Sequence, residues 1–410
     1  MHRLMLFFIC IVICTAVVGR QNNDVILEAK AAAVNGNHAQ AIALLSDAIK
    51  LTPESRLYIE RAEINLKLRN YDASLQDFNE ANTLETHSGD YGLAKVYAMK
   101  GDASNSMKHL VMNMESAYKK SEKEIMLDPA FTAIENRPEW RQFWQKMWYN
   151  PKETGVSEIE YFISTNKLAD ARDALSELKT NYSGSEEAIY AEILVNIASG
   201  RFDDAVRSAS LLSASANNKE KHLRVLAKAQ TGQLNFTGAS ATYTRLIEMG
   251  VADAQLFIER AECFRKTGEQ NRALRDIERF LTLYPENKEA IRLAGRLEVE
   301  SGNNINALVY FSRNVELHSN DPDSYIDRAN SYFSSKSWNW AINDYSMSLD
   351  LNPENSDVWL NKGIAHLNLG NTNAACYDFR KAYSLGNQRA ASYINSNCMN
   401  QQATRTVPEL

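Results

Sequence analysis

Glycine and proline are scarce in this chain. Its 410 residues include 17 Gly and 8 Pro, about half of ordinary usage. A sandwich or barrel of many short strands needs both residues in its turns, and low-complexity disorder is often built on them, so neither class fits. An excess of positive charge is also missing. The net charge is -6, which removes the global pull of a basic chain toward nucleic acid. Of five cysteines, Cys10 and Cys14 lie in the N-terminal apolar run, which leaves Cys263, Cys376 and Cys398. These form no CxxC and no even framework. The seven histidines are scattered from His2 to His366 without ligand spacing. GxGxxG, Walker A, HExxH and GxSxG are all absent. Asp321-Pro322-Asp323 lacks the Gly and closing Glu of a calcium loop and reads as a helix start. No catalytic residue, cofactor or metal site is therefore expected.

Long apolar runs are missing with one exception. Leu4 to Val18 is apolar apart from mild breaks, follows Arg3, and leads through Gly19 and Arg20 into Gln21-Asn22-Asn23-Asp24. That is a signal-peptide pattern over residues 1–20, and the run is short of the roughly 20 residues a transmembrane helix needs. An uncleaved signal anchor is the alternative. A lipoprotein is disfavoured because Ile9 and Ile13 precede the two cysteines. The expectation is export to the periplasm or to an outer-membrane-associated location, with no transmembrane span after signal removal. Export also permits disulfides.

What the chain has in abundance is period. Ala171, Ala205, Ala239, Ala273, Ala307, Ala341 and Ala375 are each 34 residues apart. With this Ala at position 20, the blocks run 152–185, 186–219, 220–253, 254–287, 288–321, 322–355 and 356–389. Position 8 is mostly small: Ile159, Ile193, Ala227, Ala261, Gly295, Ala329 and Gly363. Position 15 holds Gly200, Gly268, Gly302 and Gly370, and position 32 holds Pro285 and Pro353. Apolar residues recur at three- and four-residue spacing through positions 4–12 and again through 20–28, so each block predicts two helices. Gly near position 15 ends the first, and Pro at 32 follows the second. Small residues at positions 8 and 20 let the two helices approach closely.

This pattern resembles the tetratricopeptide repeat family. Block 356–389 carries it clearly in Trp359, Lys362-Gly363, Gly370-Asn371, Ala375, Phe379 and Ala382, with departures at His366 and Asn387. The N-terminal third repeats the unit less regularly. Tyr58-Ile59-Glu60-Arg61-Ala62-Glu63 nearly matches Phe257-Ile258-Glu259-Arg260-Ala261-Glu262 and Tyr325-Ile326-Asp327-Arg328-Ala329-Asn330. The resemblance implies an all-α solenoid, a right-handed superhelix of about ten helical hairpins. Three are expected in 22–120 and seven in 152–389, with a joint at 121–151, a capping helix at 390–400 and a loose tail at 401–410. Where position 7 is basic (Arg61, Arg260, Arg328, Lys362), position 23 is acidic (Asp77, Asp276, Asp344, Asp378). A bridge across each of those hairpins is expected.

Within the joint, Trp140, Trp144 and Trp148 fall at i, i+4 and i+8 and predict one aromatic helical stripe. An aromatic binding edge or an interfacial helix is one reading. A packed joint is favoured, because such stripes are usually core. Cys376 opens the last second helix and Cys398 closes the cap, making them the candidate disulfide, while Cys263 reads as a small core residue. Asn181-Tyr182-Ser183 and Asn235-Phe236-Thr237 are glycosylation sequons by pattern, meaningful only in a eukaryotic secretory host.

The family's first helices line a concave groove through positions 2, 5, 9, 12 and 13. Those positions hold Arg224 and Lys228, then Arg265 and Lys266, then Arg292 and Arg296, accompanied by Glu262 and Glu300. Six basic residues on one face of an acidic chain suggest a groove for a protein or peptide partner with an acidic segment. An ordinary solvated face of mixed charge is the competing interpretation. The family's clamp for C-terminal carboxylates is not indicated. Asn330 and Asn361 match its asparagines, but its basic places fall on Ile326, Ala391 and Asn395. The function expected is a non-catalytic scaffold or adaptor of the cell envelope, resembling repeat proteins of the Bacteroidetes type. The alternatives are an accessory subunit of a secretion, outer-membrane assembly or motility machine, and an envelope enzyme with an unrecognised site. No nucleic-acid partner is expected.

Overall fold

The structure is a computed structural model that describes residues 22–214 and 219–398. The leader expected at 1–20 and the tail expected at 401–410 lie outside the described residues. Among the described residues every regular element is a helix, and none is long and apolar enough to cross a membrane.

The chain divides into two compact units between Cys263 and Phe264. The first unit begins with three hairpins: α1 (22–34) with α2 (His38–Leu51), α3 (Ser55–Lys67) with α4 (Tyr71–Leu84), and α5 (Asp90–Met99) with α6 (Ala103–Met114). Two short helices follow, α7 (Glu122–Leu127) and α8 (Pro138–Phe143). Three more hairpins complete the set: α9 (Pro151–Ser164) with α10 (Leu168–Asn181), α11 (Glu186–Ala198) with α12 (Phe202–Ser213), and α13 (Lys219–Gly232) with α14 (Phe236–Glu248). The division falls inside α15 (Gln255–Lys266), and the 121–151 segment lies within the first unit. The second unit holds α16 (Gln270–Leu283), then α17 (Lys288–Glu300) with α18 (Asn304–Leu317), α19 (Pro322–Ser334) with α20 (Trp338–Leu351), and α21 (Ser356–Asn368) with α22 (Thr372–Ser384). It ends on α23 (Ala390–Asn397).

One turn geometry closes every hairpin. The second residue past the first helix adopts a left-handed φ, the next N–H bonds five residues back, and the pair forms a Schellman motif that satisfies the last carbonyls of the helix. At Gly200, φ is 71°, and Arg201 N–H reaches the Asn196 carbonyl at 2.8 Å. Glycine fills this position in six hairpins. Arg69, Asn166, Leu234 and Lys336 fill it in the other four, with φ between 58° and 63°. The following first helices start on side-chain caps at position 34: Ser185, Asn287, Asp321 and Asn355 each accept a backbone N–H three residues on.

The seven alanines of position 20 are all 0% exposed. Positions 8 and 24 meet beside them and trade volume. Gly295 faces Phe311 and Gly363 faces Phe379, so closely that a Cβ on either glycine would lie 2.4 or 2.6 Å from the phenylalanine ring. Elsewhere the pairings are Ala227 with Tyr243, Ala329 with Tyr345, and Ile193 with Ala209, all buried. Where one helix gives up side-chain volume the other supplies it, as close packing requires.

The expected bridges between positions 7 and 23 are seen at Arg61–Asp77, Arg328–Asp344 and Lys362–Asp378. Arg61 donates from Nε and Nη2 to Asp77 at 2.9 and 2.6 Å. Arg328 donates likewise to Asp344 at 2.7 and 2.8 Å, and Lys362 Nζ lies 3.5 Å from Asp378. The acid is buried in each. Arg61 and Arg260 also reach back to the preceding second helix, donating to Ser46 and Thr244 at 2.8 and 3.1 Å. These fork-shaped contacts tie each hairpin to the one before it.

The tryptophans depart from the expected single stripe. α8 stops at Phe143, and Trp144 to Met147 turn out of the helix. Trp148 then folds back, its Nε1–H donating to the Phe143 carbonyl at 2.8 Å and its ring stacking on Phe143 at 4.8 Å. Trp140 and Phe143 are buried with Phe131, Ile125 and Leu110, while Trp144 and Trp148 close over them. Capturing aromatic area from both sides of the turn outweighs two further turns of amphipathic helix, so the segment is a compact aromatic knot.

The cap is a helix over Ala390–Asn397, and Cys376 is bonded to Cys398 with an S–S distance of 1.98 Å and Cα atoms 5.6 Å apart. Tyr393 stacks on Phe379 at 5.0 Å. This covers the apolar face that the last hairpin would otherwise expose. Cys263 is buried and is not part of a disulfide.

Candidate partner-binding face

The six basic residues of the expected groove sit on first helices, but in different units. Arg224 and Lys228 lie on α13 in the first. Arg265, Lys266, Arg292 and Arg296 lie in the second.

Their electrostatic surroundings are not those of a bare basic patch. Arg224 bonds Glu220 at 3.0 Å on its own helix and Asp253 at 2.9 Å beyond α14. Arg265 bonds Glu300 at 2.8 Å. Arg292 lies 2.5 Å from Asp327 and 3.4 Å from Asp323, and Arg296 lies 3.6 Å from Asp327. In the second unit each of these carboxylates stands on the first helix of the hairpin after the arginine. Asp327 is buried, and burial pushes its carboxyl above the usual range against the pull of Arg292 and Arg296. Lys228 and Lys266 are exposed. In the second unit the basic residues are thus steps in a ladder of cross-hairpin ion pairs, edged by the exposed Lys266. The acids that pair with Arg265 and Arg292 are 31 to 35 residues downstream, so no local pattern reveals the pairing there.

Ion pairs between separate helical segments occur in the first unit as well. Lys30 meets Glu60 at 2.7 Å, Lys95 meets Glu63 at 2.6 Å, Lys119 meets Glu153 at 2.9 Å and Lys152 meets Glu187 at 3.2 Å. The two clamp-like asparagines do not form a free pair, because Asn330 accepts a hydrogen bond from the Tyr345 hydroxyl at 2.7 Å.

Three residues outside the basic set join Lys266 in an exposed row of the second unit. Lys266, Glu300, Ser334 and Asn368 are all exposed at position 13. Val299, Phe333 and Leu367 precede them at position 12, with Val299 exposed and the other two half-buried. The alternation of apolar and polar groups along neighbouring helices suits a protein segment, with a few anchors inside a polar surround. No group of three His, Cys, Asp or Glu that could hold a metal occurs among the described residues.

A concavity that sequence reasoning missed opens beside the aromatic knot. Its volume is about 820 Å³, and Trp148, Tyr149, Glu153, Glu158, Glu177 and Tyr182 are among the residues that line it. The signal for it was the departure of 121–151 from the repeat register, since a hairpin cannot stack on an irregular neighbour without leaving a gap.

Two family profiles described as Tetratricopeptide repeat match residues 26–90 and 345–377. No curated protein matches the chain. Among solved structures, the C-terminal part of a TPR repeat-containing protein from Cytophaga hutchinsonii is similar at a TM-score of 0.50 and 12% identity, covering 58% of this chain and 98% of that one. A tetratricopeptide repeat protein from Parabacteroides merdae has a TM-score of 0.45 at 17% identity, covering 60% and 97%. YrrB, described as a TPR protein with an unusual peptide-binding site, has a TM-score of 0.38 at 18% identity, covering 47% and 100%. The profile matches show tetratricopeptide repeats at 26–90 and 345–377, and hairpins of one geometry recur between them in an all-α repeat fold.

Proposed function

We propose that this protein is a non-catalytic binding scaffold of the cell envelope, and that it docks a partner on the first-helix row of its second unit. The repeats themselves support a protein-binding role. The observation that carries the location is the row at positions 12 and 13, where Val299, Phe333 and Leu367 alternate with exposed polar side chains on successive first helices. A partner with an acidic segment would compete with Glu300 for Arg265 and with Asp327 for Arg296. Its binding would therefore be salt-sensitive. The leader pattern supports an exported location.

A pull-down from the envelope fraction tests this. The expected result is a stoichiometric protein complex that the Arg265→Glu, Arg296→Glu double variant weakens. Turnover by the purified protein alone, or a complex indifferent to both substitutions, overturns it. N-terminal sequencing of the mature chain tests export, with a start shortly after Gly19 expected.

A further inference from the structure

We infer that the cavity beside the aromatic knot is a second docking site, and that its occupant is a basic segment of a partner protein, carrying a Lys or Arg next to apolar residues. The site lies wholly in the first unit, between the turn before α9 and the hairpin α9/α10. Its volume of about 820 Å³ is that of a ligand site.

Three properties select the occupant. The lining is acidic, with Glu153, Glu158 and Glu177 against the single ammonium of Lys119. Lys119 is committed to Glu153 at 2.9 Å, whereas Glu158 and Glu177 are exposed and make no ion pair among the described residues. Two of the aromatic walls stand beside ammonium groups of this chain, Lys119 within the lining and Lys146 outside it. Lys119 Nζ lies 4.7 Å from the Tyr149 ring centre, and Lys146 Nζ lies 4.0 Å from that of Trp148, the arrangement in which a π face attracts positive charge. The walls are also built in advance. The Tyr149 hydroxyl donates to the Lys120 carbonyl at 2.8 Å, and Trp148 is tied to Phe143. Met147, 94% exposed at the rim, offers an adaptable apolar contact for the stem of the incoming side chain. An acidic segment would meet uncompensated like charge here, so this site and the first-helix row of the second unit differ in the partner chemistry they accept.

The test uses the full chain and two short, end-blocked, fluorescently labelled peptides, one alternating Lys and Leu and the other alternating Glu and Leu, read by anisotropy. The lysine peptide is expected to bind, more weakly as salt rises, and the glutamate peptide is not. The Glu158→Gln, Glu177→Gln variant should lose about tenfold in affinity. Its thermal midpoint should not move, because both side chains are exposed. Arg265→Glu with Arg296→Glu should leave this binding unchanged, which separates the site from the docking row proposed above. Failure of the lysine peptide to bind, or equal binding to wild type and the double glutamine variant, overturns the inference.

Discussion

Asn23, at the start of the first hairpin, lies against Gly250, which ends the sixth. A Cβ placed on Gly250 would fall 1.8 Å from the Asn23 side-chain amide, and Ala252 packs into the cluster of Ile26, Ala29, Ala41 and Leu45. Repeat arrays normally place each unit in contact with its neighbours alone. Here the first unit also makes a contact between its two ends, which restrains its curvature.

Gly250→Ala should open that contact. Gly250 has φ 78°, so the substitution adds backbone strain of about 1 kcal/mol to the collision. Hydrogen exchange should show faster opening of α1 while α11 keeps its protection. In an Asn23→Ala background the collision is absent, and the same glycine substitution should cost less.

Leu234 and Lys336 hold the left-handed turn position that glycine fills in six other hairpins. Leu234 is 72% exposed, so its side chain contributes little packing. Leu234→Gly and Lys336→Gly should each stabilise the protein by about 1 kcal/mol through relief of the left-handed penalty, visible as a higher denaturation midpoint. No gain at either position would show that the entropy lost by glycine offsets the strain.

Gly295→Ala should destabilise by about 1–3 kcal/mol, because the added methyl meets the Phe311 ring inside a packed interface. Adding Phe311→Leu should return part of the loss in denaturant unfolding. An additive double variant would show that the two positions do not share one volume.

Asp378 makes stability depend on pH. Burial pushes its carboxyl up to about 6, against the pull of Lys362, while an unfolded Asp titrates near ~3.9. The folded state therefore holds the proton more tightly. The stabilisation from this group is full below about pH 4 and is lost as pH rises through about 6. Asp378→Asn should remove that slope. The stability of wild type relative to the variant should fall by about 2 kcal/mol between pH 4 and 7, measured by denaturant titration at each pH.

Reduction of Cys376–Cys398 should loosen α23. The bond closes a loop with a sequence separation of 22, and such loops contribute about 3 kcal/mol in the chain-entropy account. Under reductant, exchange should quicken across Ala390–Asn397 first. Mass spectrometry of the non-reduced, exported protein should find the two cysteines linked.

The hairpins were legible because their causes are local. A small residue every 34 positions, a glycine after six of the first helices and a proline after some of the second specify where helices begin, stop and touch, and each acts within a few residues of itself. The bridges between Arg61 and Asp77 and between Arg328 and Asp344 could be read as well, because 16 residues separate the members of each and both lie in one hairpin. The aromatic knot could not be read. Periodicity at Trp140, Trp144 and Trp148 is the same for a continuous helix as for a helix and a turn folded onto one core.

Period, composition and spacing by themselves determined an array of helical hairpins and placed the basic residues on first helices. Tertiary structure alone decided whether those charges were free. Arg292 meets Asp327, and Arg265 meets Glu300, because the rotation from one hairpin to the next brings a specific acid beside each arginine. The same rotation, summed over six hairpins and an irregular joint, brought Asn23 to Gly250 and left the cavity at Trp148. Rotation depends on how every interface packs, and no short stretch of sequence encodes it.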